Sequence, residues 1–231
     1  MTTDFGKLYI VATPIGNLGD ITLRALETLK SVDFVLCEDT RVTQKILNHY
    51  EISTKTISYH QHSNDKKVDL IISLLDEGKN LALVTDAGTP GISDPGTVLI
   101  SQAIEAGTKV VPVPGASAVI TALSASGLRT DEFVYLGFLP RKKGRKTMLE
   151  SLAKEKRTIV FYESPYRVVK TLEELKIVLG EDRNIVIARE LTKMFEEIIR
   201  GEIKDVILKL TPQNTRGEFV IIIEGKTNSG E

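Results

Sequence analysis

Apolar residues in the first half of the chain follow two rhythms. Short unbroken runs alternate with longer stretches in which Leu, Ile and Val return every third or fourth position. Unbroken runs bounded by turn residues predict buried strands, and the longer period predicts helices. Leu8 to Ala12 is such a run, ended by Thr13-Pro14-Ile15-Gly16-Asn17. Asp20 is placed to cap a helix in which Leu23, Leu26, Leu29 and Val32 keep helical spacing. Asp33 to Cys37 predicts the next strand, followed by the polar stretch Glu38-Asp39-Thr40-Arg41. Asn64 opens a helix that turns Val68, Ile71, Ile72, Leu74 and Leu75 inward and stops at Gly78. Leu81 to Thr85 predicts a strand, and Asp94-Pro95 fits a cap and first helical position. That helix should end near Gly107. Lys109 to Val113 predicts a strand, and Pro114-Gly115-Ala116-Ser117-Ala118 leads into another helix.

Strands alternating with helices predict a largely parallel sheet with helices on it, hence an α/β fold. Small and polar residues from Gly127 to Glu132 suggest a boundary, giving α/β domains over residues 1–128 and 129–231. In the second, Phe133 to Phe138, Thr158 to Tyr162, Ile185 to Ala188 and Phe219 to Ile223 predict strands. Ser164-Pro165 is expected to open a helix between them.

Composition narrows the class. A chain of 231 residues that is 42% hydrophobic and 26% charged can bury full cores and is not a disordered one. No apolar run approaches the roughly 20 residues needed to span a bilayer. Met1 to Lys7 has no apolar core of a signal peptide, and the sole cysteine, Cys37, lies in an apolar strand. These features predict a cytoplasmic protein without disulfides and without membrane contact. The net charge of −1 gives no overall field to steer a nucleic acid, but Arg141, Lys142, Lys143, Arg145 and Lys146 concentrate cations in one stretch. Such a run is either a solvated loop or a phosphate-contact surface.

Several chemistries are missing from the sequence. It has no phosphate-binding G-x-x-x-x-G-K-[ST], no dinucleotide fingerprint after the first strand, and no H-E-x-x-H. His60-Gln61-His62 could ligate a metal but lacks acidic partners, so a hydrogen-bonding loop pair accounts for it and no metal is expected. What the sequence does have is three Gly/Pro turns, 13–17, 86–96 and 114–118, each directly after a predicted strand. Carboxyl ends of strands are where open α/β sheets bind ligands. Gly88, Gly91 and Gly115 allow close backbone approach, while Pro90, Pro95 and Pro114 stiffen the loops. A pocket of this kind offers backbone groups rather than charges and suits a ligand without polyphosphate. One such cluster would merely make a tight turn; three at successive strand ends point to a site.

These residues also carry a resemblance. Thr13-Pro14-Ile15-Gly16-Asn17-Leu18, Glu38-Asp39-Thr40-Arg41, the stretch from Asp86 to Gly96, Pro114 to Ala118, Phe161-Tyr162-Glu163-Ser164-Pro165, Ala188 to Lys193 and Gly217 to Val220 resemble the tetrapyrrole methylase superfamily. Within it they are similar to the branch that methylates small-subunit ribosomal RNA, and the likeness runs in order along essentially the whole chain. It implies two α/β domains of the tetrapyrrole methylase type holding S-adenosyl-L-methionine, a homodimer, and transfer to the ribose 2′-hydroxyl of a cytidine in the decoding region of 16S ribosomal RNA, with the assembled small subunit as the expected substrate. By position it implies cofactor contacts at Ile15, Thr89, Ile92, Ser117, Ala118, Tyr162 and Ala188. Pro14, Gly16, Asp86, Gly88, Pro90, Gly91 and Val220 join them from the same motifs. Motif membership and strand-end location nominate Lys193 and Arg41 for positioning or charge stabilisation, with Asp39 or Glu163 as base. The five cations at 141–146 are the expected RNA contact. Many members of that branch continue past the equivalent of Lys226 in a polar tail that could add further RNA contacts. The competing readings are a small-molecule methylase on the same fold and a non-catalytic RNA-assembly protein that keeps a relic pocket.

Overall fold

The computed structural model describes residues 5–60, 63 and 65–226. The chain divides into two compact units, the first ending at Ser117 and the second beginning at Ala118. The division falls upstream of the expected boundary because the helix Ala118–Ser124 packs on strands of the second sheet.

In the first unit, β1 (Lys7–Val11), β2 (Phe34–Cys37), β3 (Lys55–Ser58), β4 (Leu81–Leu83) and β5 (Lys109–Val113) form one sheet in the order β3-β2-β4-β1-β5. Every pairing in it is parallel. The strand period of two sorts the side chains onto two faces. Val35, Cys37, Ala82 and Val84 pack under α1 (Leu23–Ser31) and α2 (Thr40–His49). Leu36, Leu81 and Leu83 pack under α3 (Asp65–Asp76) and α4 (Thr97–Glu105). Two caps differ from expectation. Thr22, whose side chain accepts the Ala25 N–H, starts α1, and Asp20 lies in a preceding 3₁₀ turn. Helix α4 starts after Gly96, which adopts φ 138° without a side-chain cap, so Asp94 and Pro95 remain in the loop. Asn64 lies outside the described residues.

In the second unit, β6 (Phe133–Phe138), β7 (Thr158–Glu163), β8 (Asn184–Arg189), β9 (Glu197–Glu202) and β10 (Phe219–Ile223) form a mixed sheet ordered β6-β7-β10-β8-β9. Only β6–β7 is parallel; the other pairings are antiparallel. One face, with Ile159, Phe161, Ile187, Phe219 and Ile221, packs against α6 (Arg145–Leu152), α7 (Val168–Leu179) and α8 (Ile203–Lys209). The other face meets α5, the helix over Ala118–Ser124. Helix α7 begins at Val168, so Ser164 and Pro165 form a turn ahead of it rather than its first residues. Among the described residues no helix is long and apolar enough to cross a membrane.

Candidate active site

Parallel strands bring their carboxyl ends to one edge of the first sheet, and the loops that follow β1, β2, β4 and β5 meet there. The first and third are zipped together. Thr13 and Gly88 exchange backbone hydrogen bonds of 2.9 and 3.1 Å, and the Thr13 hydroxyl donates to the Thr85 carbonyl at 2.9 Å. Gly88 has φ 85°, and a side chain there would stand 3.5 Å from Ile15 Cγ2 and 4.0 Å from the Ala116 carbonyl oxygen. Position 88 is thus the point where three loops converge, and its bareness leaves the space open. Gly115 lies so close to Ala12 that an added Cβ would come to 3.0 Å of the alanine methyl. Pro14, Ile15, Gly88 and Pro90 are buried, Asp86, Thr89, Gly91 and Ser117 are half-buried, and Gly16 and Ile92 are exposed. Ile92 presents an apolar side chain, 50% exposed, from a loop otherwise made of small residues.

The loop after β2 is tied to the loop after β4, because the Asp39 N–H donates to Asp86 Oδ1 at 3.2 Å. Asp39 caps α2, and Arg41 forks onto its carboxylate with Nε at 3.0 Å and Nη2 at 2.6 Å. These hydrogen bonds lower the Asp39 pKa to about 2. Glu38, Asp39, Thr40, Arg41, Ser58, His60 and Asp86 line a cavity of about 610 Å³. Nearby Asp94 shifts the other way: burial, aided by Glu38 and Asp86 and partly offset by the Thr85 side chain, pushes its carboxyl up to about 6. Nothing in the residue order marked Asp94 as more than a helix cap; only the loop's burial distinguishes it.

In the second unit, Tyr162, Val220 and Ala188 occupy one rung of three neighbouring strands, since Val220 pairs with both of the others. The Tyr162 ring packs edge-on against Tyr135 and tilted against Phe138, with centroids 5.5 and 5.4 Å away. One residue along, the rung Glu163–Phe219–Arg189 faces the opposite side. Glu163 is fully buried and accepts three hydrogen bonds: the Ser164 N–H at 2.7 Å, the Thr171 hydroxyl at 2.6 Å and Arg167 Nη2 at 2.6 Å. Lys193 donates to Glu190 Oε1 at 3.0 Å and Glu218 Oε2 at 2.9 Å. Burial alone would lower its pKa, but those two carboxylates outweigh burial and raise it. Its turn is tightly wound, with positive φ at Glu190 (49°) and Thr192 (65°).

The basic stretch is divided. Arg141, Lys142, Lys143 and Lys146 are exposed, whereas Arg145 is buried, its guanidinium bonded to Glu174, Thr171 and the Pro140 carbonyl. His62 lies outside the described residues. Among the described residues no group of three or more His, Cys, Asp or Glu could hold a metal ion.

The structure is a parallel α/β unit whose Gly/Pro loops converge at its carboxyl edge, followed by a mixed five-stranded α/β unit, and the chain belongs to the Tetrapyrrole (Corrin/Porphyrin) Methylases, whose family model matches residues 7–207. That family uses S-adenosylmethionine as its methyl donor. Within it the chain is similar to proteins named Ribosomal RNA small subunit methyltransferase I. It is 52% identical over 232 residues to the one from Haemophilus influenzae (99% of this chain, 82% of the relative) and 50% identical over 223 residues to that from Synechocystis (96% and 80%). Solved structures share the fold. A cobalt precorrin-4 methyltransferase of cobalamin biosynthesis matches with TM-score 0.69 at 23% identity, covering 94% of both chains. Uroporphyrin-III-C-methyltransferase from Thermus thermophilus matches with TM-score 0.65 at 19% identity, covering 95% and 94%.

Proposed function

We infer that this chain transfers a methyl group from S-adenosylmethionine to the ribose 2′-hydroxyl of a cytidine in the decoding region of 16S ribosomal RNA. The observation that carries the reading is 50–52% identity, along nearly the whole chain, to proteins named for small-subunit ribosomal RNA methylation. The solved tetrapyrrole methylases are far more distant and speak for the fold alone.

The pocket residues fit the donor. Convergent backbone at Pro14–Gly16, Asp86–Ile92 and Ser117 suits an adenine edge and an amino-acid tail, neither of which carries phosphate. Gly88, at φ 85°, adopts a backbone conformation that a side chain would strain and brings the loops after β1 and β4 together. In the second unit, the rung Tyr162–Val220–Ala188 and Ala118 at the start of α5 are proposed as cofactor contacts that offer apolar and aromatic surface.

S-adenosylmethionine supplies an electrophilic methyl, so the chain's own task is in-line alignment, with reacting atoms held roughly 3–3.5 Å apart. Lys193 and Arg41 serve as fixed cations that position the acceptor and stabilise charge developing on its oxygen. Asp39, with a pKa of about 2, is a poor proton acceptor at neutral pH. Glu163 is buried and already accepts from Ser164, Thr171 and Arg167, and both carboxylates act as counter-charges that hold cations in place. The exposed cations Arg141, Lys142, Lys143 and Lys146 contact RNA phosphates. The working form is a cytoplasmic homodimer acting on the assembled small subunit. Incubation with radiolabelled S-adenosylmethionine and small subunits, followed by nuclease mapping, tests the reading: label on one cytidine ribose is expected. Cofactor binding without transfer to RNA, or transfer to a tetrapyrrole, refutes it.

A further inference from the structure

Arg145 is the cation of the 141–146 run that does not face water, and its partners form a closed chain. Arg145 Nε donates to Glu174 Oε2 at 2.8 Å, Nη2 to the Thr171 hydroxyl at 2.7 Å, and Nη1 to the Pro140 carbonyl at 3.0 Å. The Thr171 hydroxyl in turn donates to buried Glu163 at 2.6 Å, and Glu163 holds Arg167. Arg167 Nη1 donates back to the Leu139 carbonyl at 3.3 Å. Two consecutive carbonyls, at the root of the cationic loop, are therefore each pinned by a guanidinium. Both guanidinia are anchored on one face of α7 and its entry, where 167, 171 and 174 follow helical spacing. Gly144, at φ 80°, turns the chain so that Arg145 points inward while Arg141, Lys142 and Lys143 stay outside.

We propose that Arg145 is a positioning residue, a latch that fixes the loop 140–144 on α7 so that Arg141, Lys142 and Lys143 are pre-arranged for RNA phosphates. The proposal rests on the loop being the RNA contact of the methyltransferase. A guanidinium is retained in a mostly buried place only while its counter-charge is there. Removing Glu174 expels Arg145, frees the loop and lowers the fraction of molecules ready to bind, which weakens apparent affinity by that fraction.

Glu174→Ala separates this idea from simple electrostatics, because the two predict opposite signs. Deleting an anion beside a cationic loop should tighten RNA binding. Release of the latch should raise KM for small subunits by roughly five- to tenfold, leave kcat nearly unchanged, and leave S-adenosylmethionine affinity unchanged by calorimetry. The salt slope of RNA affinity should be kept, since all four exposed cations remain. The double replacement Lys142→Ala with Lys143→Ala should instead make that slope shallower by about 1.4. A KM that is unchanged or lowered in Glu174→Ala overturns the latch, and so does an equal loss of cofactor affinity. A parent protein that leaves small subunits unmethylated refutes the underlying function instead, and that result appears before any variant is compared. A slope indifferent to the double replacement removes the loop as the phosphate contact.

Discussion

Asp94→Asn should stabilise the protein at pH 8 and leave it nearly unchanged at pH 4. Burial in the loop 86–96, with the carboxylates of Glu38 and Asp86 adding to it, pushes the Asp94 carboxyl up to about 6 against a partial offset from Thr85. In the unfolded chain the group titrates near ~3.9. The folded state therefore binds this proton more tightly than the unfolded state does. The favourable contribution is complete below about pH 4 and is lost as pH rises through about 6. A displacement of about two pKa units at 1.36 kcal/mol each gives about 3 kcal/mol, and partial solvation of the loop reduces the realised figure to about 2 kcal/mol. Asparagine keeps the shape and cannot ionise, so it escapes the loss. Urea unfolding of parent and variant at pH 4 and pH 8, followed on the first unit's transition, measures the difference. All other titrating groups are common to both proteins and cancel. A stability difference that is the same at both pH values, or a variant less stable than the parent at pH 8, refutes the reasoning.

Glu163→Gln removes the charge that faces Arg167 and the acceptor of the Thr171 hydroxyl within a buried network; a loss of about 3–5 kcal/mol in calorimetric unfolding is expected, and a loss below about 1 kcal/mol counts against the network. Gly88→Ala forces a Cβ onto a residue at φ 85° between Ile15 and Ala116; stability should fall by about 1–2 kcal/mol and S-adenosylmethionine affinity by roughly tenfold or more in titration calorimetry. Burial raises the Cys37 thiol, with Asp86 and Asp39 adding to the effect against an opposing hydrogen bond from Thr43. A thiol reagent at pH 8 should label the folded protein at least about tenfold more slowly than the urea-unfolded chain.

The strands were legible because each core strand is apolar on both faces, as parallel strands covered by helices must be. Lys109–Val113, Phe133–Phe138 and Phe219–Ile223 fall where the pattern places them. Helices α6 and α8 have no predicted counterpart, and the two strands without one carry thin apolar signals. Strand β3 is Lys-Thr-Ile-Ser at a sheet edge, and β9 begins and ends in glutamate at the other sheet's edge. Helix α2 follows directly from Glu38-Asp39-Thr40-Arg41, so its first turn reads as a polar loop. The convergence of the loops at 13 and 88 was legible because glycine and proline at a strand end constrain the backbone, and backbone constraint is written in the sequence. Where a charged side chain points is not. Arg145 sits in the same run as its exposed neighbours, and its inward turn depends on Thr171 and Glu174 a helix away. The signal that could have found it is the spacing of Arg167, Thr171 and Glu174, one basic, one hydroxyl and one acidic group on a single helical face.

That distinction bears on how the chemistry is divided along the chain. The residues proposed for the methyl donor would act through backbone position, and a glycine at 88 or a close approach at 115 has the same geometry whatever the protonation state. The charged candidates act through partners. Asp39 is held by Arg41, Glu163 by Arg167 and Thr171, and Lys193 by Glu190 and Glu218. Asp39 titrates far below neutrality, and its ion pair moves Arg41 further from it; the two glutamates do the same for Lys193. Groups so displaced hold constant charge through the pH range in which ribosomes work. Constant charge orients an acceptor and steadies a developing oxyanion, but it exchanges protons poorly. A donor that is already electrophilic makes that division workable, because geometry then contributes more of the rate than proton transfer. The consequence is a methylation rate that varies little with pH around neutrality in the parent protein, and a strong pH dependence between pH 6.5 and 8.5 in single-turnover transfer would contradict it.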